Sequence, residues 1–142
     1  MVPDDIDSPK ANAESAPPKA TPIDADRQVR VLLVEDEFLV AVMLEQDLRA
    51  AGHSILGPFK DLAQAIAATR REQFDLAILD INLNGEAVYP LADELLARGI
   101  PFLFLSGYVE LPERFRASPR VSKPHNPAAL IRTIQRMVPK AD

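Results

Sequence analysis

The chain has 142 residues and a formal net charge of −5, with 47% hydrophobic and 26% charged residues, a balance typical of one soluble globular domain. It contains no cysteine and 2 histidines, which excludes disulfide frameworks, thiolate nucleophiles and metal sites built from Cys or several His side chains. The acidic balance argues against a nucleic-acid partner. No apolar run is long enough for a membrane span or resembles a signal peptide, so we expect a cytoplasmic protein without a membrane partner.

The first 28 residues differ in composition from the rest of the chain. They hold five of the 13 prolines, six acidic and three basic residues, and few large apolar side chains. Such a segment buries too little surface to offset the entropy of ordering it, so we expect a disordered tail at residues 1–28. The sequence predicts one domain at residues 29–138, a short tail at 139–142 and no attached output domain.

From Val29 onward, short apolar runs alternate with stretches whose apolar residues recur at helical spacing. The apolar runs predict five strands, at Val29–Val34, His53–Gly57, Leu76–Leu79, Pro101–Leu105 and Val121–Ser122. The other stretches predict helices at Phe38–Ala51, from Asp61 to about Arg71, at Ala87–Arg98 and at Pro127–Val138. This alternation predicts a doubly wound α/β fold with a five-stranded parallel sheet and helices on both faces.

Polar side chains follow four of the predicted strands, at the edge where ligands bind in such sheets. The residues concerned are Glu35, Asp36, Glu37, Asp80, Ser106 and Lys123. Each alone is ordinary, as a helix cap, a turn residue or a solvated lysine. Together at one edge they indicate a functional site.

The grouping indicates a particular chemistry. Neighbouring carboxylates repel one another, and a divalent cation bound by oxygen ligands, Mg²⁺ above all, relieves that repulsion. Asp80 is placed to act as a nucleophile towards a phosphoryl donor. Lys123 offers a positive charge and Ser106 a hydroxyl for the phosphoryl oxygens.

Four segments in this order resemble the response-regulator receiver domains of two-component signalling. They are Val31–Glu37 (Val-Leu-Leu-Val-Glu-Asp-Glu), Leu79–Leu83 (Leu-Asp-Ile-Asn-Leu), Leu105–Tyr108 (Leu-Ser-Gly-Tyr) and Ser122–Pro124 (Ser-Lys-Pro). The resemblance covers roughly residues 29–138 and implies a flavodoxin-like fold. It also implies a regulator that accepts a phosphoryl group from a histidine kinase, with Mg²⁺ as the cofactor.

The resemblance assigns a role to each matching position. Glu35 and Asp36 correspond to the acidic pair that binds Mg²⁺, together with Asp80 and the backbone carbonyl of Asn82. Asp80 also corresponds to the phosphoacceptor.

The remaining two matches concern the phosphoryl group. Ser106 corresponds to the switch hydroxyl, and Lys123 to the lysine that contacts the phosphoryl group. The Lys123–Pro124 bond corresponds to a cis peptide of the family.

The sequence also departs from the family pattern. Asn84, followed by Gly85, stands where a proline is usual, and Arg120 replaces the switch aromatic. The interval between Ser106 and Lys123 is short, which predicts a short or irregular fourth helix. These departures, with Phe104-Leu-Ser-Gly107, resemble the FAT GUARD receivers of alphaproteobacteria.

The short interval between Ser106 and Lys123 leads to an expectation about activation. It offers few apolar residues to hold a rigid helix, so we expect residues 107–119 to become ordered on phosphorylation. Tyr108 either takes over from the missing aromatic or is an ordinary packing residue. His53 is expected to be structural, and His125 to stand in for an aromatic that packs on the last helix.

These features favour a stand-alone receiver that self-phosphorylates and dephosphorylates with Mg²⁺ rather than an ordinary enzyme. Its expected partners are a histidine kinase and, in a relay, a histidine phosphotransferase or another downstream protein. The alternative from another class is an interaction module that no longer depends on phosphorylation. A phosphatase with an aspartyl-phosphate intermediate would need an acid where Asn82 stands, and a nucleotide-binding flavodoxin-like protein would need a Gly-rich phosphate loop.

Overall fold

Strands and helices alternate through the computed structural model, which describes residues 28–107 and 109–138. In chain order the elements are β1 (Arg30–Val34), α1 (Phe38–Ala50), β2 (Ser54–Phe59), α2 (Leu62–Arg71), β3 (Leu76–Asp80), β4 (Asn82–Leu83), β5 (Glu86–Ala87), α3 (Tyr89–Ala97), β6 (Phe102–Ser106), a 3₁₀ turn (Glu113–Phe115), β7 (Arg120–Ser122) and α4 (Pro127–Met137). Except for Gln28, the two predicted tails lie outside the described residues.

Five parallel strands form the sheet in the order β2-β1-β3-β6-β7. Strand order reverses at β1, so the sheet is doubly wound in the flavodoxin-like manner, and the predicted fold class is confirmed. The central strand β3 is buried along its whole length, which explains why its sequence is apolar without alternation. In the described part of the chain, no helix combines the length and the apolar character needed to cross a membrane.

Alternate residues of each strand point to opposite faces of the sheet and build two separate apolar cores. On one face, Val31 and Leu33 pack with residues of α1 and α4, including Leu44 and Leu130. On the other face, Leu32 and Val34 pack with residues of α2 and α3. The sheet therefore has helices on both sides, and its strand ends point into loops that neither core covers.

The end of the second strand and the start of the third helix differ from the predicted boundaries. They differ where a glycine with positive φ or a short hairpin shapes the backbone, because apolar periodicity does not indicate either feature. The second strand runs on to Phe59 through Gly57, whose φ of +111° suits only glycine, and a Cβ there would lie 2.7 Å from Leu33 O. The third helix begins at Tyr89 instead of Ala87, because Ala87 pairs with Asn82 in a hairpin. Asp61 caps α2 as predicted, accepting a hydrogen bond from Gln64 N at 2.8 Å.

The interval after β6 holds a single 3₁₀ turn in its described residues, 107 and 109–119, so the short, irregular fourth helix is confirmed. This segment offers few apolar residues, but two of them anchor it to the core, and its ordering on phosphorylation stays a prediction. Leu111 and Phe115 are buried in the core, and the Phe115 ring stacks on Tyr89 at a centroid distance of 5.6 Å.

An ion pair adds to this anchoring. Arg114 donates two hydrogen bonds to Asp93 of α3, at 2.7 and 3.0 Å. Arg120, at the position of the switch aromatic, is exposed, as its charge requires. Tyr108 lies outside the described residues, so its role stays open.

His53 is a buried structural residue, as expected from its place at the start of a strand. Its Nδ1 accepts a hydrogen bond from Val29 N at 3.1 Å, which requires the imidazole to be unprotonated at that nitrogen. Burial lowers the pKa of His53 below its ordinary value.

We expect protonation of His53 to destabilise the folded chain. The unfolded chain binds this proton more readily, so the stabilisation is complete above about pH 6.5 and is lost as the pH falls towards the lowered folded pKa. His53→Gln keeps a hydrogen-bond acceptor but does not titrate. Urea unfolding between pH 8 and pH 5 should show a smaller loss of unfolding free energy for the variant than for the wild type. Parallel losses would contradict the assignment.

Candidate functional site

The carboxyl ends of β1, β3, β6 and β7 meet at one edge of the sheet, where an open cleft of about 420 Å³ lies. Most of the predicted site residues line this cleft: Asp36, Asp80, Asn82, Ser106 and Lys123. Glu35, the remaining member of the predicted set, is buried beside it. Parallel topology thus brings together residues that are up to 88 positions apart in the chain.

Three carboxyl groups converge at this edge. Oxygens of Glu35, Asp36 and Asp80 lie within 4.8 Å of one another, and Glu35 and Asp80 are both buried. Glu35 Oε2 accepts a hydrogen bond from Glu37 N at 3.0 Å. Glu35 Oε1 is buried without a hydrogen bond, although the Lys123 ammonium lies 3.2 Å away. The cluster therefore has acceptor capacity that the described residues do not fill.

Asp80 is strongly affected by this environment. Burial, and then the charge of Glu35, raises the pKa of Asp80 to about 7, and the charge of Lys123 offsets only part of the effect. An ionised Asp80 is thus costly in the protein alone, so a further positive charge at the cluster would favour its nucleophilic form.

Lys123 Nζ lies at the centre of the acidic groups. It is 2.9 Å from Glu37 Oε1, 3.2 Å from Glu35 Oε1 and 3.3 Å from Asp80 Oδ2. Burial lowers the pKa of Lys123, but the hydrogen bond to Glu37 and the charges of Asp80 and Glu35 outweigh it, so the pKa lies above its ordinary value. The side chain is therefore charged whenever the protein is folded at neutral pH.

A small hairpin shapes the other side of the cleft. β4 and β5 pair antiparallel through a two-residue turn, Asn84-Gly85, whose φ angles are 54° and 91°. Asn84 N donates to Asp36 Oδ2 at 2.9 Å, and Asn82 Oδ1 accepts from Gly85 N at 2.7 Å. A proline at position 84 has no N–H to donate, so the departure from the family pattern gives Asp36 a backbone partner.

Ser106 and the backbone of Lys123 are joined at the ends of β6 and β7. Lys123 N donates to Ser106 O at 2.9 Å, and the Ser106 hydroxyl donates to Gly107 O at 2.9 Å. The Lys123–Pro124 peptide is cis, as the family resemblance implies. Ser106 is buried, and it lines the same cleft as Asp80.

His125 has a different partner from the expected one. Its Nε2 lies 2.5 Å from Asp47 Oδ2 on α1, and the ring is almost fully buried. The contact ties the loop that follows Lys123 to α1, in addition to any packing against the last helix. Sequence reasoning missed this pair because Asp47 reads as an ordinary polar residue of an amphipathic helix.

The donor set fits a small divalent cation. Receiver domains generally bind Mg²⁺ in an acidic pocket, and the carboxylates of Glu35, Asp36 and Asp80 offer the oxygen ligands that Mg²⁺ prefers. The buried Glu35 Oε1 without a hydrogen bond is the kind of atom that such a site leaves unpaired until it is loaded. Three carboxylates lie close together with one lysine ammonium beside them, so this excess of negative charge also favours the binding of a cation.

We expect Asp80→Asn to stabilise the metal-free protein. The folded pKa of Asp80 exceeds its unfolded value, so the folded state is penalised as the pH rises through about 7. One pKa unit corresponds to about 1.4 kcal/mol, so the gain in unfolding free energy at pH 8 is a few kcal/mol at most. Urea unfolding in EDTA should show this gain at pH 8 and almost none at pH 4.

Added Mg²⁺ provides the control for that measurement. A cation that binds the folded state raises the stability of the wild type. It should raise that of Asp80→Asn less, because one anionic ligand is gone. A variant that is less stable than the wild type at pH 8 without metal would contradict the electrostatic account of this site.

Comparisons with known proteins agree with the fold. Residues 31–135 match the model of the response regulator receiver domain family. The phyllosphere-induced regulator PhyR of Methylorubrum extorquens is 30% identical over 113 residues, covering 73% of this chain and 41% of PhyR. The transcriptional regulatory protein PdtaR of Mycobacterium tuberculosis is 32% identical over 120 residues, covering 79% of this chain and 58% of PdtaR. The chain thus spans about half the length of these curated relatives.

A solved structure matches over nearly its whole length. The solution structure of SdrG from Sphingomonas melonis is 36% identical, with a TM-score of 0.69, and the match covers 75% of this chain and 93% of SdrG. The BeF3-activated conformation of SdrG is 35% identical, with a TM-score of 0.67, over 77% of this chain and 96% of SdrG. With the family model matching most of the described residues, the chain belongs to the response regulator receiver domain family.

Proposed function

We propose that this chain is a cytoplasmic receiver that accepts a phosphoryl group from a histidine kinase on Asp80, in a Mg²⁺-dependent reaction, and signals through protein contacts. The observation that carries the proposal is the position of Asp80. Its buried carboxylate lies in an open cleft, 3.3 Å from the Lys123 ammonium and beside two further acids. This arrangement combines a nucleophile, a fixed positive charge and a set of cation ligands.

The transfer itself needs little from the protein beyond positioning and charge. A carboxylate oxygen of Asp80 forms a bond to phosphorus, the phosphorus–nitrogen bond of the phosphohistidine breaks, and its electron pair stays on the histidine nitrogen. Lys123 compensates negative charge on the phosphoryl oxygens. Glu35, Asp36, Asp80 and the backbone carbonyl of Asn82 would hold Mg²⁺, which would supply further charge compensation when bound.

Ser106 is the proposed link between the phosphoryl group and the rest of the fold. Its hydroxyl donates to Gly107 O, and it would exchange that acceptor for a phosphoryl oxygen. Gly107 begins the connection to the 3₁₀ turn, so this exchange acts on the segment at the side of the cleft. SdrG, a relative of this chain, has a BeF3-activated conformation, which supports the proposal that a phosphoryl mimic changes the conformation of such a receiver.

The chain is proposed to lose the phosphoryl group again by attack of water, without a dedicated catalytic base. Asn82 stands where a phosphatase would carry an acid, and its side-chain oxygen accepts a hydrogen bond from Gly85 N. The turnover is therefore self-phosphorylation and autodephosphorylation of one site rather than enzymatic catalysis on a separate substrate.

Intact mass spectrometry with a small phosphodonor tests the proposal. The wild type with Mg²⁺ should gain one hydroxylamine-sensitive phosphoryl group, whereas Asp80→Asn, or the wild type in EDTA, should gain none, because the nucleophile or the charge compensation is missing. Asp75→Asn, at the opposite end of the same strand, is the matched control and should label normally. Labelling of Asp80→Asn would refute the phosphoacceptor assignment, and an unlabelled wild type would favour a phosphorylation-independent interaction module.

The start of α1 is the proposed contact surface for the kinase. Three large apolar side chains there, Phe38, Leu39 and Met43, are each more than half exposed. Phe38 directly follows Glu37, whose carboxylate contacts Lys123, so the patch begins at the rim of the cleft. A protein that delivers a phosphoryl group to Asp80 must cover this rim, and covering apolar surface there contributes to binding.

We expect the double variant Phe38→Ala, Leu39→Ala to lose phosphotransfer from the cognate kinase while keeping its reaction with a small phosphodonor. Two buried apolar contacts are worth about 1 kcal/mol or more each, so kcat/KM for transfer should fall about tenfold or more. Leu96→Ala on α3 removes another exposed apolar side chain and is the control. Equal losses with kinase and small donor would place the effect in the site instead of the interface.

A further inference from the structure

The Lys123 ammonium is surrounded by carboxylates, and it donates hydrogen bonds to Glu37 Oε1 at 2.9 Å and to Glu35 Oε2 at 3.3 Å. An ammonium has three N–H groups, and three carboxylates surround this one: Glu37 at 2.9 Å, Glu35 at 3.2 Å and Asp80 at 3.3 Å. A phosphoryl oxygen that contacts Lys123, as the proposed function requires, must therefore compete with these carboxylates for the ammonium.

The three partners differ in what their release would cost. The Glu35 side chain is fully buried and is also held by Glu37 N, so water cannot replace the ammonium there. Asp80 is buried and is itself the group that receives the phosphoryl group. The Glu37 side chain is 63% exposed, so water can hydrate it as soon as it leaves the ammonium.

Glu37 also makes this contact in place of a local one. It occupies the N-cap position of α1, where a side-chain oxygen commonly accepts a hydrogen bond from the first helical turn, yet it makes no such bond. Its carboxylate reaches across the cleft to Lys123 instead, a residue 86 positions away. The contact is the shortest that the ammonium makes.

We infer that Glu37 is a latch that holds Lys123 in the unphosphorylated protein and competes with the phosphoryl group for the ammonium. The inference rests on the proposed function and adds to it a residue that regulates the same site. In the resting state, the latch satisfies Lys123 and places a negative charge at the rim of the cleft. On phosphorylation, a phosphoryl oxygen accepts the hydrogen bond that Lys123 donated to Glu37, and the Glu37 side chain rotates away so that water hydrates its carboxylate.

Beryllofluoride, which mimics the phosphoryl group, measures this competition without any chemical step. The full chain with saturating Mg²⁺ is titrated with beryllofluoride and followed by NMR. Glu37→Gln should bind it about two- to fivefold more tightly than the wild type, which corresponds to about 0.4 to 1 kcal/mol for an exposed ion pair. Glu110→Gln removes an exposed acid next to Val109, a residue that lines the cleft, and should change affinity far less.

A second variant separates contact from charge. Glu37→Asp keeps the negative charge, but its shorter side chain is a favourable N-cap and moves away from the ammonium. The latch predicts that Glu37→Asp also binds beryllofluoride more tightly than the wild type. Wild-type affinity in Glu37→Asp, with tighter binding in Glu37→Gln, would mean general repulsion and would overturn the latch.

The state of Lys123 provides a readout that does not depend on the ligand. Loss of the Glu37 contact should lower the pKa of Lys123, measured by NMR of its side-chain amine, in Glu37→Gln but not in Glu110→Gln. Weaker beryllofluoride binding by Glu37→Gln would show that Glu37 positions Lys123 productively, and would overturn the inference. If the wild type binds beryllofluoride and Glu37→Gln binds it equally, the latch alone fails. If the wild type takes up neither beryllofluoride nor a phosphoryl group, the proposed function fails.

Discussion

The ion cluster around the Lys123 ammonium is the interaction on which the site depends. Glu35, Glu37 and Asp80 converge on this one side chain, and without it the buried acids would repel one another across a few ångströms. The price of this proximity is visible at Asp80, whose carboxylate is difficult to ionise in the protein alone. Further positive charge at the sheet edge would favour the ionised, nucleophilic form of this carboxylate.

Much of the fold could be predicted because apolar patterning and topology dominate it. The central strand Leu76–Asp80 has an apolar run that only a strand buried on both faces explains, and strand–helix alternation then predicts the parallel sheet. Once the sheet is parallel, its strand ends must meet. This is why Asp36, Asp80 and Lys123, far apart in sequence, could be expected at one place.

What the sequence did not predict depends on side-chain direction and on local turns. An acid at a helix N-cap ordinarily caps that helix, so nothing in the residue order indicates that Glu37 reaches Lys123 instead. The burial of Phe115 was missed because it lies outside any helical periodicity and is anchored through Tyr89 in three dimensions. By contrast, the Asn84-Gly85 pair is a recognised turn signal, and the short hairpin could have been predicted from it.

The hydrogen bond from Asn84 N to Asp36 has a consequence for how this site tolerates mutation. The donor belongs to the main chain, so the orientation of Asp36 does not depend on which side chain occupies position 84, provided that the residue accepts a left-handed backbone and is not proline. It does depend on the length of the hairpin, since one inserted residue would move the donor away. Substitutions at position 84 therefore have little effect on Asp36, whereas an insertion or deletion in the hairpin would displace the donor and disturb the acidic cluster.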